Sequence, residues 1–262
     1  MSDEAAFLAA LQANPADDTT RLVYADWLDE HREPAKAEYL RLVALLAQCK
    51  ENLASAPEAP RLCELAPTLP EEWRTCTGSR FNVILDGFAD KVKTIKWLRE
   101  ITGDGLGECK AASEALPYTI YECIPFELAS AISANAQPMS TAKTRITASE
   151  SVSNPPDRSY TVAVYCYAPT GPDPVLSQEE ILARRQAESD ARKALVSLIV
   201  AARGLSAEEA AALAVIAQQI VLGDRLTLQE ARAFHFKLRP LIPTWSTNRG
   251  WNFWVRRYQP VG

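Results

Sequence analysis

The sequence predicts an α+β protein with a small N-terminal helical module, a central β-α-α-β-α-β domain, and a C-terminal, mostly helical domain with a small sheet. Three observations support this fold class. Apolar residues recur every three to four positions in residues 1–48 and 177–240, as on the buried side of amphipathic helices. Near residues 81, 160 and 251 they instead alternate, as in half-buried strands. A cluster of prolines predicts a linker at 49–79, with one short helix around Leu62–Leu65.

The composition and charge of the chain exclude several classes of protein. A net charge of −5 gives the whole chain no general attraction to nucleic acids or anionic membranes, so neither is expected as a partner. The N-terminus is acidic where a secretory signal would be basic, and no run of about 18 apolar residues occurs, so we expect a cytoplasmic protein. Six cysteines without a C-x-x-C pair suit reduced thiols, and we expect no metal site and no cofactor.

Residues 1–48 are predicted to form three short helices. A proline at residue 15 ends the first helix, Thr19 or Thr20 can cap the second, and Pro34 suits the first position of the third. The string DDTTRLVYADWLDEH followed by EYLRL resembles the repeat-companion module, which is attached to many otherwise different bacterial proteins. The resemblance implies a docking or localisation role for this acidic module.

Residues 80–147 are predicted to form the β-α-α-β-α-β domain. The strand candidates are RFNVILDGF, YTIYECI and AKTRIT. The helix candidates are KVKTIKWLREITG, GLGECKAASEAL and PFELASAISANA; Gly103 ends the first, Pro117 ends the second and Pro125 opens the third.

The central domain resembles the C-terminal domain of the bacterial ribosomal stalk protein (L-seven/L-twelve). The matching segments are FNVIL, KVKTIKWLREITGDGLGECK and PYTIYE, and the second follows the family pattern K-x-x-x-I-K-x-x-R-x-x-T-G-x-G-L-x-E-x-K. The resemblance implies a three-stranded antiparallel sheet and a domain that recruits translational GTPases through its first two helices. The family's contact positions fall on eight residues: Lys91, Val92, Ile95, Lys96, Arg99, Gly105, Leu106 and Lys110.

The residue types at these eight positions agree with a binding face. Four basic side chains would surround a small apolar patch, so that charge steers an acidic partner while the apolar centre supplies affinity. The alternative is that Ile95 and Leu98 are core residues and that the basic side chains form a solvated helix face.

Residues 148–262 are predicted to form a third domain that resembles no known family. Capping boxes at Ser177, Ser206 and Thr227, each with a glutamate three residues later, predict three helices. Gly204 and Gly223 are predicted to end the first two. The segments YTVAVYCY and GWNFWVRRYQP are predicted to pair as strands.

No phosphate-binding loop, nucleophile elbow or zinc-protease motif occurs, so we predict a non-catalytic adaptor that binds a protein partner, either an acidic protein or a GTPase. One alternative is a translation-associated protein that binds a ribosomal factor GTPase. Another is nucleic-acid binding or an enzymatic activity in residues 148–262. The nucleic-acid alternative rests on basic residues interleaved with aromatic ones near the C-terminus: Arg249, Trp251, Trp254, Arg256, Arg257 and Tyr258.

Overall fold

In a computed structural model, the chain folds into two compact units. The structure describes residues 3–49, 53–139, 141–150, 160–167, 177–216, 219–241 and 252–258. The first unit contains residues 1–97 and 106–155, and the second contains residues 98–105 and 156–262. The two units mix helices with antiparallel strands, which confirms the predicted α+β class.

The first unit begins with three helices that bury one side each: α1 (Asp3–Ala13), α2 (Asp18–Glu30) and α3 (Pro34–Ala47). Pro34 opens α3, as predicted. The cap of α2 differs from the prediction, because Asp17 holds that position and its carboxylate accepts a hydrogen bond from the Thr20 backbone N–H. Thr20 is already inside the helix, so its hydroxyl is not needed as the cap.

The segment 49–79, for which the prolines predict a linker, contains two packed helices, α4 (Ala59–Leu65) and α5 (Glu71–Gly78). Leu62 on α4 is fully buried. Trp73 on α5 is buried too, and its indole N–H donates a hydrogen bond of 3.0 Å to the Tyr24 hydroxyl. The prolines therefore punctuate short helices in this segment, because proline is tolerated in the first turn of a helix.

The central domain has the predicted element order. Its elements are β1 (Phe81–Phe88), α6 (Lys91–Thr102), α7 (Leu106–Glu114), β2 (Tyr118–Ile124), α8 (Phe126–Met139) and β3 (Ala142–Ala148). Strand β1 lies in the middle of a three-stranded antiparallel sheet of order β2-β1-β3. Phe81, Val83 and Leu85 alternate along β1 and are fully buried, and Phe126 packs edge-on against Phe81.

Charged side chains tie the central sheet to the helices before it. The guanidinium of Arg21 is fully buried on α2, binds Asp18 and donates to the Thr77 carbonyl at 3.0 Å. Arg80, just before β1, also binds Asp18. Such contacts explain why the N-terminal helices and most of the central domain form one compact unit; the predicted domain boundaries themselves remain predictions.

The second unit contains a sheet and three helices: β4 (Tyr160–Tyr167), α9 (Gln178–Arg203), α10 (Ala207–Ile216), β5 (Gln219–Leu226), α11 (Leu228–Leu238) and β6 (Asn252–Tyr258). The three capping boxes are present, and Gly204 ends α9 with a φ of 63°. The predicted pairing of β4 with β6 is confirmed.

One prediction for the second unit is wrong. Residues 219–226 form strand β5, which pairs with β4, so Gly223 lies inside a strand and does not end a helix. Ile220 and Leu222 alternate with exposed residues and are buried, which is the pattern of a half-buried strand.

Candidate protein-binding face

Helix α6 buries five side chains, four of which form a regular stripe. Thr94, Trp97, Leu98 and Ile101 are spaced i, i+3, i+4 and i+7 and are all buried. This spacing places them on one side of a helix. Residues on the opposite side must face away from that core.

Three of the predicted contact residues in the first unit lie on this outward side of α6. At 100° per residue, Val92, Ile95 and Lys96 project away from the buried stripe. Val92 is 78% exposed, Lys96 is exposed, and Ile95 is half-buried. The possibility that Ile95 and Leu98 are both core residues therefore holds for Leu98 and only partly for Ile95.

Helix α7 adds a ridge beside α6. Leu106 and Lys110 are one turn apart, and Leu106 is 61% exposed. The ammonium of Lys91, the first residue of α6, lies 2.8 Å from a carboxylate oxygen of Glu114, the last residue of α7. This ion pair brings the start of α6 next to the end of α7, so the two helices run antiparallel.

We call Lys91, Val92, Ile95, Lys96, Leu106 and Lys110 the α6–α7 face; all six belong to the first unit. The other two predicted contact residues, Arg99 and Gly105, belong to the second unit, where Arg99 is half-buried and Gly105 is exposed. The structure thus places six of the eight predicted residues together on two helices.

The electrostatics of the α6–α7 face are dominated by cations. Three lysine ammonium groups lie on this face, and Lys91 pairs with Glu114, whose pKa is lowered by its hydrogen bond to Lys91. Lys93 lies nearby but pairs with Asp90 at 3.6 Å. A surface of this kind can attract an anionic partner, and binding of that partner would bury the aliphatic side chains. Neither process involves catalysis.

The sequence also raises the question of a metal site and of a nucleic-acid surface near the C-terminus, which the described residues cover only in part. No three His, Cys, Asp or Glu side chains come together among the described residues in a way that could hold a metal ion. Arg249 and Trp251 lie outside the described residues. The other four residues of the nucleic-acid alternative lie on β6, and only the backbone of that strand is described. No helix in the described part of the chain is long and apolar enough to cross a membrane.

The central domain is a small α+β domain with the element order β1-α6-α7-β2-α8-β3. Its three strands form one antiparallel sheet, and its first two helices carry the exposed α6–α7 face. This is the class of domain that the resemblance to the ribosomal stalk protein predicts. The family model for the ribosomal protein L7/L12 C-terminal domain matches residues 81–138. The large ribosomal subunit protein bL12 of Clostridium botulinum (strain Langeland) is 35% identical over 102 residues, which cover 37% of this chain and 80% of that protein. The chain belongs to the ribosomal L7/L12 family.

Other relatives match a shorter stretch. The large ribosomal subunit protein bL12 of Helicobacter pylori (strain Shi470) is 49% identical over 55 residues, or 21% of this chain and 44% of that protein. Its counterpart in Helicobacter acinonychis is 51% identical over 53 residues, or 20% of this chain and 42% of that protein. The chain thus spans less than half the length of these relatives. No solved structure matches the chain significantly.

The matched family model supports the resemblance of the central domain and lies within that domain. The matched family model begins at residue 81, so the resemblance of residues 1–48 to the repeat-companion module remains a prediction.

Proposed function

We propose that this chain is a non-catalytic interaction protein that binds another protein through the α6–α7 face. The observation that carries the proposal is the exposure of Val92 and Leu106, at 78% and 61%, beside three lysines. Exposure of large aliphatic side chains to water is unfavourable, and their burial against a partner protein is favourable. The lysines favour a partner whose complementary surface is acidic.

A translational GTPase is a second, more specific candidate for that partner. It is favoured by the family to which the central domain belongs and by relatives that are named as large ribosomal subunit proteins. Under this proposal the protein acts in the cytoplasm, at or near the ribosome.

The proposal is tested by measuring how tightly the full chain binds a purified translational GTPase. We expect the double variant K96E/K110E to bind at least about tenfold more weakly, because two attractive charges become repulsive. The control is Lys143→Glu, which reverses an exposed charge on β3 of the same domain. This control variant should bind like the wild type.

A second pair of variants separates the apolar contribution from the charges. Val92→Ser and Leu106→Ser should weaken binding without changing its salt dependence, because they remove apolar area and leave every charge in place. If the wild type does not bind the GTPase, the GTPase candidate is excluded. If neither pair of changes weakens binding to a GTPase that does bind, the α6–α7 face is not the binding surface.

A further inference from the structure

A second cluster of exposed aliphatic side chains lies on the N-terminal helices. Among the described residues of the first unit, the large apolar side chains that are exposed number six: Leu22, Val23, Leu45, Val92, Leu106 and Leu116. Two of the six belong to the α6–α7 face and three lie on α2 and α3. Apolar exposure in this unit is therefore concentrated at two places.

The contacts of Arg41 show how the second cluster is assembled. Its guanidinium lies 2.7 Å from a carboxylate oxygen of Asp26 and 2.7 Å from one of Asp29, which joins α3 to α2. The two helices run antiparallel. Leu22 lies one turn before Asp26 on α2 and Leu45 lies one turn after Arg41 on α3, so the two leucines lie side by side. These two side chains are 39% and 47% exposed.

The side of α2 that carries the cluster faces away from the core. Arg21, Tyr24, Ala25 and Leu28 form the buried stripe of this helix. Its opposite side carries exposed apolar and acidic residues. We call this group, together with the neighbouring leucine of α3, the α2–α3 surface: Leu22, Val23, Asp26, Asp29, Glu30 and Leu45.

The two exposed surfaces have opposite charges, and both contain exposed aliphatic side chains. On the α2–α3 surface, three carboxylates and the guanidinium of Arg41 leave a net charge of −2. On the α6–α7 face, three ammonium groups and the carboxylate of Glu114 leave a net charge of +2. Each surface therefore offers the other an apolar centre and neutralising charge.

We propose that the α2–α3 surface of one copy binds the α6–α7 face of a second copy. The contact joins two different surfaces, so it is heterologous, and a third copy can add to either end of the pair. The opposite charges guide the encounter, and salt weakens it because both surfaces are exposed. A protein partner on the α6–α7 face and a second copy would compete for the same residues, yet self-association does not depend on such a partner.

The proposal is tested by sedimentation velocity on the full chain at increasing concentration, in low and in high salt. We expect the average mass of the wild type to rise with concentration beyond that of a dimer, and this rise to diminish in high salt. One variant, K96E/K110E, lacks the basic surface, and another, L45S/E30K, lacks the intact acidic surface. Each variant alone should remain a monomer.

Mixing the two variants gives the sharpest result. K96E/K110E keeps its α2–α3 surface and L45S/E30K keeps its α6–α7 face, so an equimolar mixture should form a complex of two chains that cannot grow further. Lys143→Glu and Leu182→Ser, which alter exposed residues outside both surfaces, should associate like the wild type. A wild type that stays monomeric throughout, self-association that both variants retain, or a mixture that fails to pair would overturn the proposal.

Discussion

At the residue scale, a buried ion pair holds a short segment of the chain within the second unit. Arg232 on α11 lies 2.6 Å from a carboxylate oxygen of Asp104, and both side chains are at most 5% exposed. Close by, a Cβ atom on Gly103, whose φ is 73°, would come within 2.8 Å of the His235 ring. The segment 98–105 is therefore fixed by charge and by close packing.

We expect removal of one partner of this ion pair to be costly. Arg232→Met removes the guanidinium from its contact with the buried Asp104 carboxylate, which should lower the free energy of unfolding by about 3–5 kcal/mol. The double variant D104L/R232M, in which two apolar side chains fill the site, should lose much less. Urea unfolding measures both values.

A matched control is Lys193→Met on α9, which breaks the exposed pair with Asp190 at 3.6 Å. Exposed pairs of this kind contribute roughly 0–1 kcal/mol. If Arg232→Met costs no more than this control, the buried pair does not hold the segment. The pairing of Asp104 with Arg232 could not be predicted from the sequence, because the two residues are 128 positions apart and Asp104 stands at a variable position of the family pattern.

At the element scale, two substitutions at the start of α2 test which residue caps this helix. Asp17→Ala should destabilise the protein by about 1 kcal/mol, because it removes the acceptor for the Thr20 backbone N–H. Thr19→Ala should change stability much less, because Thr19 is exposed and is not the cap. Equal losses in thermal or urea unfolding would mean that the cap is shared between these residues.

The same cap has a defined pH dependence. Hydrogen bonds from Thr20 hold the pKa of Asp17 below its ordinary value of 3.8. A carboxyl group with a lowered pKa in the folded state stabilises the protein above the pKa of the unfolded chain. That stabilisation is lost as the pH falls through the lowered pKa, so the difference between wild type and Asp17→Ala should shrink in acid.

Element types followed from the sequence where apolar spacing and capping residues agreed. The order of the central domain and the pairing of β4 with β6 were predictable in this way. Strand β5 was not, because its Ile220 also fits the helical spacing of the preceding alanine-rich segment. In α6, the buried position of Thr94 could not be predicted, because the polar side chain of a threonine does not indicate a core position.

At the scale of the whole molecule, helix packing limited what could be predicted. The segment 49–79 looks like a linker by its prolines, and only burial of side chains such as Trp73 shows that it belongs to the first unit. The predicted contact residues of the candidate face were available as a set, because one family pattern spans all eight positions and specifies the residue type at seven of them. Its exposure was not, since a helical repeat of apolar residues is equally typical of a core.

The central claim is that the α6–α7 face is where a partner protein binds, and backbone NMR of the full chain tests it most directly. On addition of a translational GTPase, the account predicts that amide signals of residues 91–96 and 106–110 shift or broaden first. Signals of β3, on the same domain, should change little. Changes confined to residues outside the α6–α7 face, with Val92 and Leu106 unaffected at saturation, would contradict the account.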